Sequence, residues 1–264
     1  MGRFETLAVE PLGHDVARVT MSRPGVANAF DESMIAELDA AFAQLADQVD
    51  VRVIVLAGAG KHFSAGADLN WMQRASEASR DWNLEDARRF AAMLAQVADC
   101  PKPTLARIQG AALGGGVGLA CACDLAIAAQ SASFAVSEAR FGILPAVIGP
   151  YLVNAIGRRQ ATRLALTSSR IGAGEAVQLG LVHRAVPDDE LDRAVDAVAA
   201  ELLAGGPLAQ CEIKRLYAQL RAGPVSAETR ELTAQTISRV RGTDEAREGF
   251  AAFLGKRAPR WASG

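Results

Sequence analysis

The sequence is poor in aromatic residues, cysteine and histidine, and it carries no surplus of basic charge. Of its 264 residues, 5% are aromatic, four are cysteine and three are histidine, and the formal net charge is −2. A near-neutral chain lacks the clustered Lys and Arg that bind a phosphate backbone, which argues against a nucleic-acid partner. The cysteines are too few and too scattered for a disulfide framework, and the histidines show no ligand spacing, so we expect no metal site.

The chain also lacks a long apolar run. No uninterrupted stretch reaches the roughly 18 residues that a membrane-spanning helix needs, and the opening MGRFETLAVE carries no apolar signal region. Half of the residues are nevertheless hydrophobic, which is enough for a sizeable buried core in a chain of this length. We therefore expect a soluble, cytoplasmic protein without a membrane partner.

Short apolar segments alternate with helical patterns through most of the chain, which predicts an α/β fold with parallel strands. From residue 201 onward the strand signal disappears, so we expect a core domain over 1–200 and a helical domain over 201–264. The polar segment 74–86 is interpreted either as a mobile loop over a site or as a plain surface connection. The expected strands cover 4–10, 16–21, 51–58, 104–110 and 125–130, and a helix covers 84–98.

Two local patterns near the start are more specific. The first two strands are separated by Gly13 and His14, which predicts an opening hairpin. Asp31 precedes apolar residues at three-and-four spacing, as the N-cap of an amphipathic helix would.

Two glycine-containing segments follow predicted strands and offer backbone N–H groups to a ligand. The first is AGKHFSAGADLNWM (59–72) and the second is GGGVGLACACD (114–124). Glycines at a helix start combine free N–H groups with the positive end of the helix dipole, which favours negative charge. Two alternatives stay open: Asp68 could be only a helix N-cap, and the glycines could serve only close packing. Neither segment has the spacing of a nucleotide phosphate loop.

One carboxylate stands out after the second segment. Glu138 lies some twenty residues further on, among small and apolar residues. We expect the glycine segment to stabilise a developing oxyanion and Glu138 to move the proton. Burial should raise the pKa of this carboxyl group.

Together these segments resemble the crotonase (enoyl-CoA hydratase/isomerase) superfamily. The resemblance implies an α/β crotonase (ClpP/crotonase-like) spiral of ββα turns, with a C-terminal helical region that builds a homotrimer or, by pairing of trimers, a hexamer. It also implies an acyl-CoA thioester substrate and no separate cofactor, since coenzyme A is part of the substrate. The matching stretches are FSAGADL (63–69), IQGAALGGGVGLACACDLAIA (108–128), FAVSEARFGILPA (134–146), ALTSSRIGAGEAVQLGLVHRAVP (165–187) and EAREGFAAFLGKR (245–257).

The resemblance also implies a role for each matching position. The N–H groups of Ala67 and Gly115 correspond to the two oxyanion-hole donors that grip the thioester oxygen, and Glu138 corresponds to a catalytic acid/base. Lys256 corresponds to a basic position that reaches the CoA phosphates, often those of a neighbouring subunit. The full set of expected CoA contacts is Ala27, Ala65, Ala67, Asp68, Leu69, Gly114 and Lys256. The expected acyl pocket comprises Trp71, Met72, Gly118, Leu144 and Pro145.

Two positions depart from the family pattern. Gly25 stands where many relatives carry a lysine that contacts CoA, and Gly118 stands where hydratases carry a second glutamate. The resemblance therefore favours a hydratase with a single glutamate, acting on a branched or carboxylated, methylglutaconyl-like enoyl-CoA. Gly118 would enlarge the pocket and remove a charge that repels a substrate carboxylate. Arg140 is either the partner of that carboxylate or a plain surface arginine.

Two other functions are retained as alternatives. An enoyl-CoA isomerase that converts 3-enoyl to 2-enoyl thioesters needs only one carboxylate to move a proton between two carbons. Some relatives of methylglutaconyl-CoA hydratase bind RNA, but the charge of −2 and the scarcity of aromatic residues argue against that role here.

Overall fold

A computed structural model describes residues 4–13 and 15–262. Its six-stranded sheet has the order β1-β2-β3-β4-β6-β9, and a three-stranded sheet has the order β5-β7-β8. The strands are β1 Leu7–Pro11, β2 Val16–Met21, β3 Val53–Gly58, β4 Thr104–Ile108, β5 Ala111–Leu113, β6 Leu125–Ala129, β7 Ser133–Ala135, β8 Ile171–Gly172 and β9 Arg184–Val186.

Ten α-helices accompany these strands in the described part of the chain. They are α1 Glu32–Asp47, α2 Leu69–Glu77, α3 Arg80–Ala98, α4 Gly115–Ala122, α5 Gly149–Thr167, α6 Ala173–Leu179, α7 Leu191–Leu203, α8 Pro207–Gln219, α9 Ala227–Arg241 and α10 Asp244–Leu254. None of these described helices is both long enough and apolar enough to cross a bilayer.

The predicted opening hairpin and the predicted first helix are both confirmed. β1 and β2 pair antiparallel, with Leu7 opposite Met21. The turn between them includes Gly13, whereas His14 lies outside the described residues. α1 begins after Asp31, whose carboxylate accepts a 2.9 Å hydrogen bond from the Met34 N–H, as an N-cap should.

The larger sheet is parallel from β2 to β9, as the alternation of strands and helices predicts. Alternate residues of β3 face opposite sides of this sheet. Ile54 and Leu56 join an apolar cluster with α1, α3 and α4, whereas Val53 and Val55 join a second cluster with α7. Burial on both faces explains why β3 is continuously apolar in sequence.

Two expectations about chain organisation are corrected. The segment 74–86 is not a loop, because α2 and α3 cover nearly all of it. The domain boundary expected at residue 200 falls inside α7, whose Val195 and Val198 belong to the second apolar cluster under the sheet. Since the apolar face of α7 completes the core, the helical extension begins at Pro207 and not at residue 201.

The three helices of that extension have almost no core of their own. Within α8, α9 and α10 the buried residues are Glu212 and Ala252. Large apolar side chains are exposed along these helices: Ile213, Tyr217, Ile237, Phe250, Phe253 and Leu254.

Candidate active site

A cavity of about 440 Å³ lies where the two glycine segments meet α3 and the segment that follows β7. Its walls include the backbone of Ala67 and Gly115 and the side chain of Glu138. A larger opening of about 940 Å³, between the end of α3 and α8, contains none of these three residues. The smaller cavity is therefore the candidate active site, because it joins the predicted donors to the predicted carboxylate.

The first expected donor, the Ala67 N–H, is held in position by an isolated parallel β-bridge between Phe30 and Ala67. The Phe30 N–H donates to Gly66 O at 2.7 Å, and the Asp68 N–H donates to Phe30 O at 2.8 Å. This pattern turns the Ala67 N–H away from Phe30, and no described residue accepts a hydrogen bond from it. Ala67 lines the cavity, so this donor is available to a ligand.

The second expected donor, the Gly115 N–H, begins α4. The residues before it are fixed, because the Leu113 N–H donates to Ser64 O and the Gly114 N–H donates to Ala135 O, each at 2.9 Å. The Gly115 N–H has no acceptor among the described residues, as is usual in the first turn of a helix. The helix dipole adds positive potential at this end.

Close packing explains the glycines of the two donor segments. Gly66 has φ +87°, and a Cβ built on it would lie 2.7 Å from Leu113 O. A Cβ on Gly115 would lie 2.8 Å from the ring of Phe30. Side chains are therefore excluded at both positions, which lets the two donor segments approach each other. The close-packing interpretation is therefore confirmed, and the binding of a ligand by these segments stays a prediction.

Glu138 lines the same cavity and begins a short 3₁₀ turn that runs from Glu138 to Phe141. A Cβ on Gly114 would lie 3.1 Å from its Oε1, so the carboxylate is adjacent to the residue that precedes the second donor. Glu138 Oε2 is buried and has no hydrogen-bond partner among the described residues. Burial raises the pKa of Glu138 above its usual value. A carboxyl group in this state is suited to proton transfer.

Four of the five expected pocket residues line the cavity, and Gly118 does not. Gly118 is buried on α4 and lies against Ile148: a Cβ there would clash with Ile148 Cγ2 and lie 2.8 Å from Ile148 Cβ. The space that a second glutamate would need is thus filled by the Ile148 side chain. The expectation that Gly118 enlarges the pocket is wrong for this reason. The four residues that do line the cavity are Trp71, Met72, Leu144 and Pro145.

The expected CoA contacts divide into two groups. Ala65, Ala67, Leu69 and Gly114 line the cavity, whereas Ala27, Asp68 and Lys256 are not among its lining residues. Ala27 O accepts a hydrogen bond from the Ala65 N–H at 2.9 Å, so Ala27 supports the first donor segment from behind. Lys256 is exposed after α10.

The Asp68 side chain caps a helix. Its Oδ1 accepts hydrogen bonds from the N–H groups of Asn70 and Trp71, and its Oδ2 pairs with Arg23 at 3.1 Å. The carboxylate is 7% exposed and all its contacts are internal. The N-cap interpretation of the Asp68 side chain is therefore confirmed, and the CoA contact expected at this position stays a prediction.

The sequence interpretation included Trp71 but missed its aromatic neighbour Phe90 and the carboxylate of Asp86 behind it. Phe90 packs edge-on against Trp71, with ring centroids 6.2 Å apart, and both rings line the cavity. The Trp71 indole N–H donates to Asp86 Oδ2 at 3.0 Å, and Asp86 is 7% exposed. Asp86 and Phe90 share helical spacing with the buried Met93 on α3, so an acidic residue within the apolar stripe was the available signal.

Comparisons over the whole chain show its family and its fold. A sequence model described as enoyl-CoA hydratase/isomerase matches residues 12–264. This chain belongs to that family. It is 37% identical to an enoyl-CoA hydratase from Shewanella pealeana, whose crystal structure matches with a TM-score of 0.94 over 98% of this chain and 97% of the other. The predicted crotonase fold is therefore confirmed.

Two curated relatives show how widely the family extends. A Rhodobacter capsulatus protein named "Probable enoyl-CoA hydratase" is 35% identical over 98% of each chain. A peroxisomal Delta(3,5)-Delta(2,4)-dienoyl-CoA isomerase from Arabidopsis thaliana is 34% identical over 99% of each chain. The chain is thus an enzyme of a family that contains both hydratases and isomerases.

Proposed function

We propose that this enzyme adds water across the double bond of an α,β-unsaturated acyl-CoA thioester. The observation that carries the proposal is that Glu138, whose buried Oε2 has no hydrogen-bond partner among the described residues, lines the same cavity as Ala67 and Gly115, whose N–H groups have no acceptors there. Glu138 can thus accept a proton while the two N–H groups stabilise negative charge. No redox change is needed, because hydration alters neither the overall electron count of the substrate nor that of the enzyme.

The proposed steps use only these groups. Ionised Glu138 takes a proton from water while the water oxygen bonds to the β-carbon. The electrons of the double bond move toward the thioester oxygen, and the Ala67 and Gly115 N–H groups hydrogen-bond to that oxygen. Each such donor is worth about 3 kcal/mol in comparable sites. Protonated Glu138 then returns its proton to the α-carbon, which completes the hydrated thioester and restores the carboxylate.

A single carboxylate is proposed to perform both proton transfers. Ile148 fills the space beside Gly118, so no second acid reaches the cavity from α4. Among the described residues that line the cavity, only Ser137 carries a hydroxyl group and only Glu138 carries a charge.

The acyl group is proposed to be an uncharged hydrocarbon, straight or branched, and not carboxylated. The described lining contains no Lys, Arg or His, and Arg140 is exposed outside it. A substrate carboxylate buried there would face Glu138 without a cation, and an unpaired buried charge costs several kcal/mol. The apolar side chains of Phe141, Ile143 and Leu144 instead suit a hydrocarbon tail.

Isomerisation of a 3-enoyl thioester is the second candidate. One carboxylate beside one oxyanion hole can remove a proton from one carbon and return it to another without water. The mostly apolar lining, with few polar groups to hold a water molecule, is the observation that favours it.

Four thioesters distinguish these proposals when conjugation is followed by ultraviolet absorbance. Crotonyl-CoA is straight and uncharged, 3-methylcrotonyl-CoA is branched and uncharged, 3-methylglutaconyl-CoA is branched and carboxylated, and a 3-enoyl-CoA tests isomerisation. We expect loss of conjugation with the two uncharged 2-enoyl thioesters, with ¹⁸O from labelled water in the product. Activity confined to the carboxylated substrate would contradict the uncharged-acyl proposal, and activity confined to the 3-enoyl thioester would establish the isomerase.

We also infer that the helical extension assembles with other copies of the chain into a trimer or hexamer. Phe253 and Leu254 are 82% and 80% exposed at the end of α10, an arrangement that is costly unless another surface covers them. Lys256 follows directly, so its expected CoA contact would be made across such an interface. Light scattering should give a trimer or hexamer mass for the natural chain and a smaller mass for Phe253→Ser; an unchanged mass in that variant would contradict this interface.

A further inference from the structure

Arg23 connects the two chain segments that form the bridge behind the Ala67 donor. It lies between β2 and α1, and its side chain is 22% exposed. Nη1 donates to Ala29 O at 2.7 Å and pairs with Asp31 Oδ2 at 2.9 Å, and Nη2 pairs with Asp68 Oδ2 at 3.1 Å. Asp31 caps α1 and Asp68 caps α2, so one guanidinium joins the starts of two helices.

The partners of Arg23 flank the bridge on both strands. Ala29 and Asp31 are the neighbours of Phe30, and Asp68 is the neighbour of Ala67. The bridge itself consists of two backbone hydrogen bonds and lies outside the two sheets. A planar guanidinium with donors in a fixed fork can hold a carbonyl and two carboxylates in one arrangement, which a flexible ammonium cannot do.

These contacts of Arg23, called the Arg23 clamp below, affect the direction in which the Ala67 N–H points. Gly66 O and the Ala67 N–H belong to the same trans peptide unit, so they point in opposite directions. The Phe30 N–H holds Gly66 O, and the Ala67 N–H therefore faces the cavity. Gly66 has φ +87° and no side chain, so its own conformational preference is a weak restraint on this peptide unit. The position of Phe30 supplies the restraint, and Arg23 holds the residues on either side of Phe30.

We propose that Arg23 is a positioning residue of the oxyanion hole: by clamping Ala29, Asp31 and Asp68 it keeps the Gly66–Ala67 peptide unit oriented so that the Ala67 N–H meets the thioester oxygen. This role rests on the proposed function, because it assumes that a thioester carbonyl occupies the cavity. It gives the segment RPGVANAF (23–30), which contains Gly25, a task separate from contacting CoA.

The carbonyl stretching frequency of a bound thioester reports how well the Ala67 N–H is oriented toward the thioester oxygen, and it can be measured without turnover. We would bind a saturated acyl-CoA with a ¹³C-labelled carbonyl to the natural protein, to Arg23→Lys and to Arg23→Met, and record difference infrared spectra. The natural protein should lower the frequency, because two N–H donors polarise the carbonyl. Arg23→Met should lose much of this shift, and kcat should fall on the order of 10- to 100-fold with little change in KM. Arg23→Lys should be intermediate.

Arg163→Met is the matched control, since it removes an arginine–glutamate pair of 2.7 Å that lies on α5 and α6 away from the cavity. It should retain the full shift and kcat. A folded Arg23→Met with the natural shift and kcat would overturn the proposal, and if that variant does not fold, a natural shift in Arg23→Lys would do so. Absence of a shift in the natural protein would instead overturn the oxyanion hole, and the role of Arg23 with it.

Discussion

The two walls of the cavity are built in different ways. The donor wall, residues 65–67 and 114–115, presents backbone N–H groups and is held by backbone hydrogen bonds to Ala27, Phe30 and Ala135. The acyl wall, residues 137–148, presents side chains, and Phe141, Ile143 and Leu144 on it are 61%, 54% and 72% exposed. Charge stabilisation is thus assigned to backbone N–H groups, which only a proline substitution would remove, and substrate choice to side chains that any substitution can change.

This difference also explains the two kinds of constraint on the residues. Glycine is required on the donor wall because a Cβ would collide with the backbone or rings of neighbouring segments. On the acyl wall the decisive residue is Glu138, whose carboxylate is kept partly buried and incompletely hydrogen-bonded. Such a group lowers stability, a cost that is common in active sites.

The largest effect should come from Glu138→Gln. The amide has nearly the same shape but cannot accept the proton, so kcat/KM should fall roughly 10³-fold, within the usual range for a general acid/base. The absorbance assay measures this loss. Glu10→Gln, on exposed β1, is the control and should retain full activity. A Glu138→Gln enzyme with more than a tenth of the natural activity would show that another group moves the proton.

Gly66→Ala should damage the donor wall. The new Cβ would lie 2.7 Å from Leu113 O at a φ of +87°, so the Ala67 peptide unit must shift. We expect activity to fall about 10- to 100-fold and the free energy of unfolding to fall by about 1–3 kcal/mol. Gly157→Ala has a similar φ, +73°, and no neighbour within 4 Å of the new Cβ. This control should lose stability but keep activity; equal activity losses would contradict the prediction.

Gly118→Glu tests whether Ile148 occupies the space that a second carboxylate would need. Its side chain would collide with Ile148, so urea unfolding should show a loss of at least about 1–3 kcal/mol. Adding Ile148→Ala should make the double variant more stable than Gly118→Glu alone, because the two positions share one space. If the two substitutions simply add, Ile148 does not fill that space.

Asp86→Leu should alter substrate preference by changing the aromatic side of the cavity. Loss of the 3.0 Å acceptor leaves the Trp71 indole N–H unpaired, so its ring should reorient. The ratio of kcat/KM for branched and straight enoyl thioesters should change by up to about 10-fold. Asp86→Asn keeps an acceptor and should change the ratio less. In a Trp71→Phe background the effect of Asp86→Leu should vanish. If the effect persists there, Asp86 does not act through the Trp71 ring.

The smallest effect concerns stability. Burial raises the folded pKa of Glu138 above its ordinary value of 4.5, so the folded state binds its proton more tightly than the unfolded state. Stability is therefore lost as pH rises from 4.5 through the folded pKa. Glu138→Gln carries no such penalty, so thermal unfolding at about pH 7 should show a higher Tm than in the natural chain, and the difference should shrink below about pH 4.5. A lower Tm at neutral pH would show that the carboxylate is stabilised in the folded protein.

Much of the donor wall could be predicted because its signals are local. A strand followed by glycine or small residues, and glycines at a helix start, indicate free N–H groups whatever the distant chain does. Asp31 as an N-cap follows the same logic. Segment 74–86 was misread because its polar residues are the outward faces of α2 and α3, and a polar helix surface resembles a loop in composition.

By itself, the sequence determined the family, the two donor segments and Glu138, because each depends on residues close together in the chain. Only the tertiary structure decided which side chains from other elements pack against these segments and the cavity. Ile148 fills the space beside Gly118, Arg23 engages Asp68, and Asp86 accepts from Trp71. These partners come from separate elements, and no local propensity records which side chains the packing of helices on a sheet will bring together.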